Sequence, residues 1–229
     1  MLLRSAPYLA YFFDDDWRNI QDVQEACPPI HTELMSTRLV YPPSAGSNWY
    51  SALLDRAGIR PRCTEGFNSE ENLVQWAESG TAHKAVFFDW DQTLSQHEGI
   101  YGLNPLAYGL TFHDMAEYLT GGPERLGRLQ AMFYRLHLAG VEIYIVTNNP
   151  VCGSPAPVGD FAQYGVPPLC SAPLLTEHAL FQGIVDVICP AVTQLIYTGS
   201  LSKYDRNKGH WIREHLPRYA VMPFASWNN

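Results

Sequence analysis

Two apolar runs that each end in a cluster of aspartates, AYFFDDD at positions 10–16 and KAVFFDWDQT at positions 84–93, constrain the fold of this chain more than anything else in it. A run that is apolar on both faces must be covered on both, which suits a central strand of a parallel sheet and not an exposed hairpin. Similar runs lie at 8–13, 38–41, 84–88, 142–146 and 184–189, and segments of helical period separate them. The alternation predicts an α/β fold, a Rossmann-like parallel sheet sandwiched by helices. No repeat, low-complexity tract or long charged linker interrupts it, so residues 1–229 are expected to form a single domain with a full core.

The clearest helix follows Gly121 and Gly122. Pro123 suits a first helical position, Leu126, Leu129, Phe133 and Leu136 recur three or four apart, and Gly140 fits the end. Shorter helices are expected over 113–119, 72–78 and 208–216, the last stopped by Pro217. The turn-rich stretch 42–48 reads as a loop, and 149–168, rich in proline and glycine, suits a mobile element over a site.

A net charge of -8 argues against nonspecific nucleic-acid binding, because neutralising phosphates takes a clustered Lys/Arg surface. The five cysteines are widely spaced and form no CxxC pair, which fits free thiols in a reducing compartment. No stretch nears the roughly 18 apolar residues of a membrane span, and no signal cleavage site follows the first residues. The chain is therefore expected to be cytoplasmic, with no membrane partner.

Chemistry concentrates at the strand ends. A strand closing on Asp89-Trp90-Asp91-Gln92-Thr93 projects two carboxylates from its carboxyl end, where ligands bind in open α/β sheets. One can attack phosphorus while the other, protonated, serves the leaving group. A second run, VEIYIV, ends in Thr147, Asn148 and Asn149, whose hydroxyl and backbone N–H groups suit a phosphoryl oxygen, although the same residues make an ordinary helix cap. Lys208 opens a helix, from which an ammonium can neutralise a carboxylate and a phosphoryl group; Lys203 is the competing candidate. The first run leads into Asp14, Asp15 and Asp16, hard oxygen donors of the kind Mg²⁺ takes, with Asp16 equally suited to starting a helix.

These segments resemble the four motifs of the haloacid dehalogenase superfamily of phosphatases and phosphotransferases. AVFFDWDQTL resembles the first motif, which implies Asp89 as nucleophile and Asp91 as acid/base, with Thr93 near the substrate. IYIVTNN resembles the second, implying Thr147 and Asn148 on the phosphoryl group, and KGHW the third, through Lys208. YFFDDDWRNI resembles the fourth, implying Asp14 and Asp15 as carboxylates for Mg²⁺ beside Asp89 and Asp91. The acidic motif closes the family's usual order but opens this chain, and no aspartate follows Lys208 in the final stretch HWIREHLPRYAVMPFASWNN. A circular permutation accounts for both facts. Residues 1–80 would then supply the acidic-motif part and 84–216 the first three motifs. The gaps between motifs leave room for no large cap, so the expected substrate is a phosphorylated small molecule or phosphoprotein.

The remaining conspicuous residues read as packing. Trp90 should point away from its flanking aspartates by strand alternation, Tyr204 and Trp211 suit core contacts, and the eight histidines form no HxxxH or HExxH pair. Two other functions share the motif order or the fold. A two-component receiver domain also runs acidic pair, acceptor aspartate, threonine, lysine, but is about half as long and needs no counterpart of Asp91. A catalytically idle interaction module is the third reading.

Overall fold

The computed structural model describes residues 7–35, 70–96, 104–159, 168–171 and 174–220. The run expected at 38–41, the loop at 42–48 and Cys63 lie outside them. Five parallel strands form one sheet: β1 (Tyr8–Asp14), β2 (His31–Leu34), β3 (His83–Phe88), β4 (Glu142–Thr147) and β5 (Gln194–Tyr197), in the order β2-β1-β3-β4-β5. The three runs that are apolar on both faces, β1, β3 and β4, take the three central places, as burial on both sides demands.

Side-chain alternation divides the core into two layers. Phe13, Val86, Phe88, Ile143 and Ile145 face α2 (Glu70–Glu78), α3 (Phe112–Thr120), α4 (Pro123–Leu138) and α5 (Glu177–Ile188). Ala10, Phe12, Ala85, Phe87, Tyr144 and Val146 face α1 (Trp17–Ala26), α6 (Lys208–His215) and the short α7 (Pro217–Ala220). Phe13 stacks on Phe88 at 5.1 Å and Phe87 on Tyr144 at 4.9 Å, so neighbouring strands are locked through aromatic pairs on opposite faces. Each fully buried ring adds roughly 1.5–3 kcal/mol of apolar burial.

The expected helices form where their signals lie. Pro123 opens α4 and its 126/129/133/136 stripe is buried, while Thr111 and Asp114 close a capping box on α3. The run at 184–189 is not a strand. Ile184, Val185 and Ile188 belong to α5, buried with Leu180 and Phe181 on one face and capped by Thr176. A six-residue window over this stretch sees only apolar residues; the 3.6-residue period emerges once 180–188 are taken together. The fifth strand is β5, a four-residue edge too short and too polar to stand out. Within 149–168, residues 150–153 form a 3₁₀ turn and Pro157 bridges Thr176. Among the described residues, no helix is long and apolar enough to cross a membrane.

Candidate active site

The strand order reverses direction between β1 and β3: the chain goes from β1 outward to β2, then returns to β3 on the other side. At such a switch point the connections leave in opposite directions and open a crevice beyond the carboxyl ends of the strands. Asp14 ends β1, Asp15 follows it, and Asp89 follows β3, its N–H donating to the Phe13 carbonyl at 2.9 Å. Alternation places Asp14 with Ala10 and Phe12, and Asp89 with Ala85 and Phe87, on the face covered by α1 and α6.

Lys208 opens α6 on that face. Its Nζ donates to Asp14 Oδ2 at 2.7 Å and to Asp89 Oδ1 at 2.6 Å, with its side chain 1% exposed. The close seat depends on Gly209, where a Cβ would come within 2.5 Å of the Asp22 carbonyl oxygen of α1. Asn207 caps the helix through His210 N–H. Lys203, the competing lysine, lies on the surface paired with Glu214. Asp14 Oδ1 accepts from the Asp16 N–H at 2.9 Å and from Asn19 Nδ2 at 3.0 Å, so its orientation is held from three sides. Asp16 is the helix-start residue: it caps α1 and pairs with Arg18 at 2.6 Å, and the guanidinium holds its carboxyl below the usual range.

One carboxylate oxygen from each of Asp14, Asp15 and Asp89 lies within 4.8 Å of the others. Three carboxylates against one ammonium leave a local charge of about -2 when all are ionised, which a divalent cation with hard oxygen ligands balances. Burial pushes Asp15 up to about 7, with the Asp14 charge adding to it. Burial also pushes Asp89 up; Lys208 opposes this, while Asp14 and Asp91 reinforce it. Burial alone would lower Lys208, but Asp89 and Asp14 outweigh it and hold the ammonium charged.

The carboxylate of Asp91 does not join this acidic group, contrary to the expectation that it would help hold a metal. Asn149 Nδ2 donates to its Oδ2 at 2.9 Å. The chain bends sharply after Asp89 into a single wide turn, Trp90–Leu94, in which Gln92 takes a left-handed φ of 60°. This bend separates Asp91 from its neighbour's side of the site. Trp90 is fully buried edge-on against Phe181, the packing role expected of it.

Thr93 is also fully buried and is not among the residues that line the crevice. Its carbonyl accepts from Arg125 Nη2 at 3.1 Å, and Arg125 Nη1 donates to the Leu94 and Thr120 carbonyls at 2.8 and 2.9 Å. Burial lowers the Arg125 pKa to about 10, which leaves it charged at neutral pH. In sequence Arg125 is one polar residue near the start of an amphipathic helix, and nothing there signals a clamp on the Asp91 turn.

Thr147 closes β4, buried, with its hydroxyl accepting the Asn149 N–H at 3.0 Å. Asn148 Oδ1 accepts from Thr198 Oγ1 at 3.0 Å, which ties the end of β4 to that of β5. Asp15, Asp89, Asp91, Thr147, Asn148 and Lys208 line one cavity of about 1170 Å³. Its lining also includes Trp17, Gln92 and the left-handed pair Asp205 and Arg206. Tyr204 and Trp211 stay outside and pack against the second core layer. The arrangement brings a buried carboxylate and an ammonium, beside two further acidic residues, to the same cavity as a carboxyl held separately by Asn149. No protein-family model matches the chain, and neither does any curated protein or solved structure.

Proposed function

We propose that this protein is a Mg²⁺-dependent phosphatase that works through an aspartyl phosphate on Asp89, with haloacid dehalogenase-like motifs in permuted order. The observation that carries the reading is the seat of Lys208 Nζ, 2.7 Å from Asp14 and 2.6 Å from Asp89, which gathers three of the motifs from distant parts of the chain. A permuted order accounts for an acidic motif that precedes the other three and still meets Asp89 in space. The sheet order supports it, since β1 and β3 are parallel neighbours and their carboxyl ends lie side by side.

In this mechanism an Asp89 carboxylate oxygen attacks phosphorus as the bond from phosphorus to the leaving oxygen breaks, and Asp91 gives its proton to that oxygen. Asp91, now a carboxylate, takes a proton from water as the water oxygen attacks the phosphoryl group. The bond from phosphorus to Asp89 breaks, inorganic phosphate leaves, and Asp91 is protonated again. Lys208 holds Asp89 in place and offsets charge on the transferred group; Thr147 and the backbone beyond β4 orient its oxygens. Mg²⁺ held by Asp14, Asp15 and Asp89 would neutralise the phosphoryl charge and the excess charge of the site.

Turnover of an aryl phosphate is expected with Mg²⁺ and not with EDTA. Asp91→Asn should lower turnover of an alkyl phosphate, whose leaving oxygen needs the proton, about 10²- to 10⁴-fold. Full activity in EDTA, or in Asp91→Asn on the alkyl phosphate, sinks the reading. Metal binding has its own readout in stability. Asp15 ionises near 3.8 in the open chain and about 7 in the fold, so the folded protein keeps a proton that the unfolded chain has lost. In EDTA the melting temperature should therefore fall as pH rises through about 7, because stability present below the unfolded pKa is lost on ionisation. Saturating Mg²⁺ should flatten that fall, since a cation favours the ionised carboxylate. A pH profile of melting that is the same with and without Mg²⁺ contradicts a cation at Asp15.

The receiver reading has one observation of its own, because β2-β1-β3-β4-β5 is the flavodoxin-like order that receivers also use. It assigns no task to Asp91, which Asn149 nevertheless holds in the crevice. Phosphorylation with a small phosphoryl donor distinguishes the two: a phosphoaspartate that persists and never turns over favours the receiver.

A further inference from the structure

The turn that carries Asp91 makes two sets of contacts that neither the motifs nor the mechanism above requires. Asn149 is fixed in both halves of its amide. Its Oδ1 accepts the Val151 N–H at 3.1 Å, so its Nδ2 must face Asp91 Oδ2, at 2.9 Å. From behind, the buried guanidinium of Arg125 holds the Thr93, Leu94 and Thr120 carbonyls, which pins the turn carrying Asp91 to the start of α4. A buried cation bound to three carbonyls is a costly way to close a turn unless the turn's position matters. The turn also keeps Gln92 at a φ of 60°, a conformation that needs external support in a residue other than glycine.

We propose that Asn149 and Arg125 are positioning residues for Asp91, the first aiming its carboxyl and the second fixing the turn that bears it; this rests on the phosphatase reading above. Oδ2 of Asp91 accepts the Asn149 amide hydrogen, which fixes the direction of the carboxyl. Aimed in this way, Asp91 delivers its proton to the leaving oxygen and recovers one from water in the second step. Neither residue touches the substrate in this scheme; both act through Asp91.

Leaving-group dependence tests the proposal on the full chain. An alkyl phosphate needs its leaving oxygen protonated, whereas an activated aryl phosphate departs as a phenolate with little help. Asn149→Ala, in a half-buried loop, should slow the alkyl phosphate about 10- to 100-fold, and at least about tenfold more than the aryl phosphate. Placed on Asp91→Asn it should add no further loss, because the two act as one unit. Arg125→Met should show the same selectivity, and Arg125→Lys should regain part of it. If Arg125→Met does not fold, Asn149→Ala carries the test alone. Equal slowing of both substrates, or additive loss with Asp91→Asn, overturns the positioning role while the phosphatase reading stands. Wild-type protein that turns over neither substrate overturns that reading, and this inference with it.

Discussion

Asp89→Asn is expected to release no phosphate from any ester, a loss of roughly 10⁴-fold or more in turnover. The amide is a poor nucleophile, and no other carboxylate can take over at that atom. Asp14 is fully buried with three donors fixing it, and Asp91 is held by Asn149. The substitution nearly preserves volume and removes one negative charge from a group with an excess of them, so the fold should persist. A melting temperature in EDTA at least equal to the parent's checks this. Transfer of labelled phosphoryl to the protein, removable by hydroxylamine, should occur in the parent and vanish in Asp89→Asn. Turnover in this variant within tenfold of the parent means the nucleophile lies elsewhere.

Lys208→Met should be the most destabilising single change in the site. The ammonium is 1% exposed and serves as partner to two buried carboxylates, Asp14 and Asp89. Removing one member of such a cluster strands the others' charge in a low-dielectric setting, at a cost of about 3–5 kcal/mol. For a chain of this length that corresponds to a drop of roughly 6–20 °C in melting temperature. Turnover should fall with it even at temperatures where the variant is folded, because the phosphoryl charge loses its fixed counter-ion. Adding Asp14→Asn should recover part of the lost stability by removing a stranded charge, but not the activity. Lys203→Met is the control, since its exposed pair with Glu214 should leave melting unchanged. A Lys208→Met protein as stable and active as its parent contradicts the central role of this ammonium.

Local patterns made much of the fold legible. The Pro123 start and 126/129/133/136 stripe of α4, the double-faced apolar runs of β1, β3 and β4, and the DWDQT segment all carry their signal within about fifteen residues. Where the signal was short or weak, reading by pattern failed. A six-residue view of 184–189 hid a helical period, and the four-residue β5 offered too little alternation to notice. The duties of Asn149 and Arg125 were not legible either. Asn149 stands 58 residues from Asp91, and Arg125 reaches carbonyls 31 and 32 residues back, contacts that no local pattern encodes.

The sequence by itself determined which residue types stand at the strand ends: the paired carboxylates at 89 and 91, the acidic run at 14–16, a threonine at 147 and two candidate lysines. Such placement follows from strand period and turn chemistry, both of which act over a few residues. Only the tertiary structure decided which of these groups meet. Parallel β1 and β3 lie side by side, so Asp14 and Asp89 share one face, and the close approach of α6 to α1 at Gly209 selects Lys208 over Lys203. It also divided the two aspartates of DWDQT, since the turn clamped by Arg125 sends Asp91 toward Asn149 and away from the acidic group. The physical reason is that charge pairing and desolvation depend on distance in space. Sheet order and helix packing set that distance for residues as far apart as 194 positions in the chain.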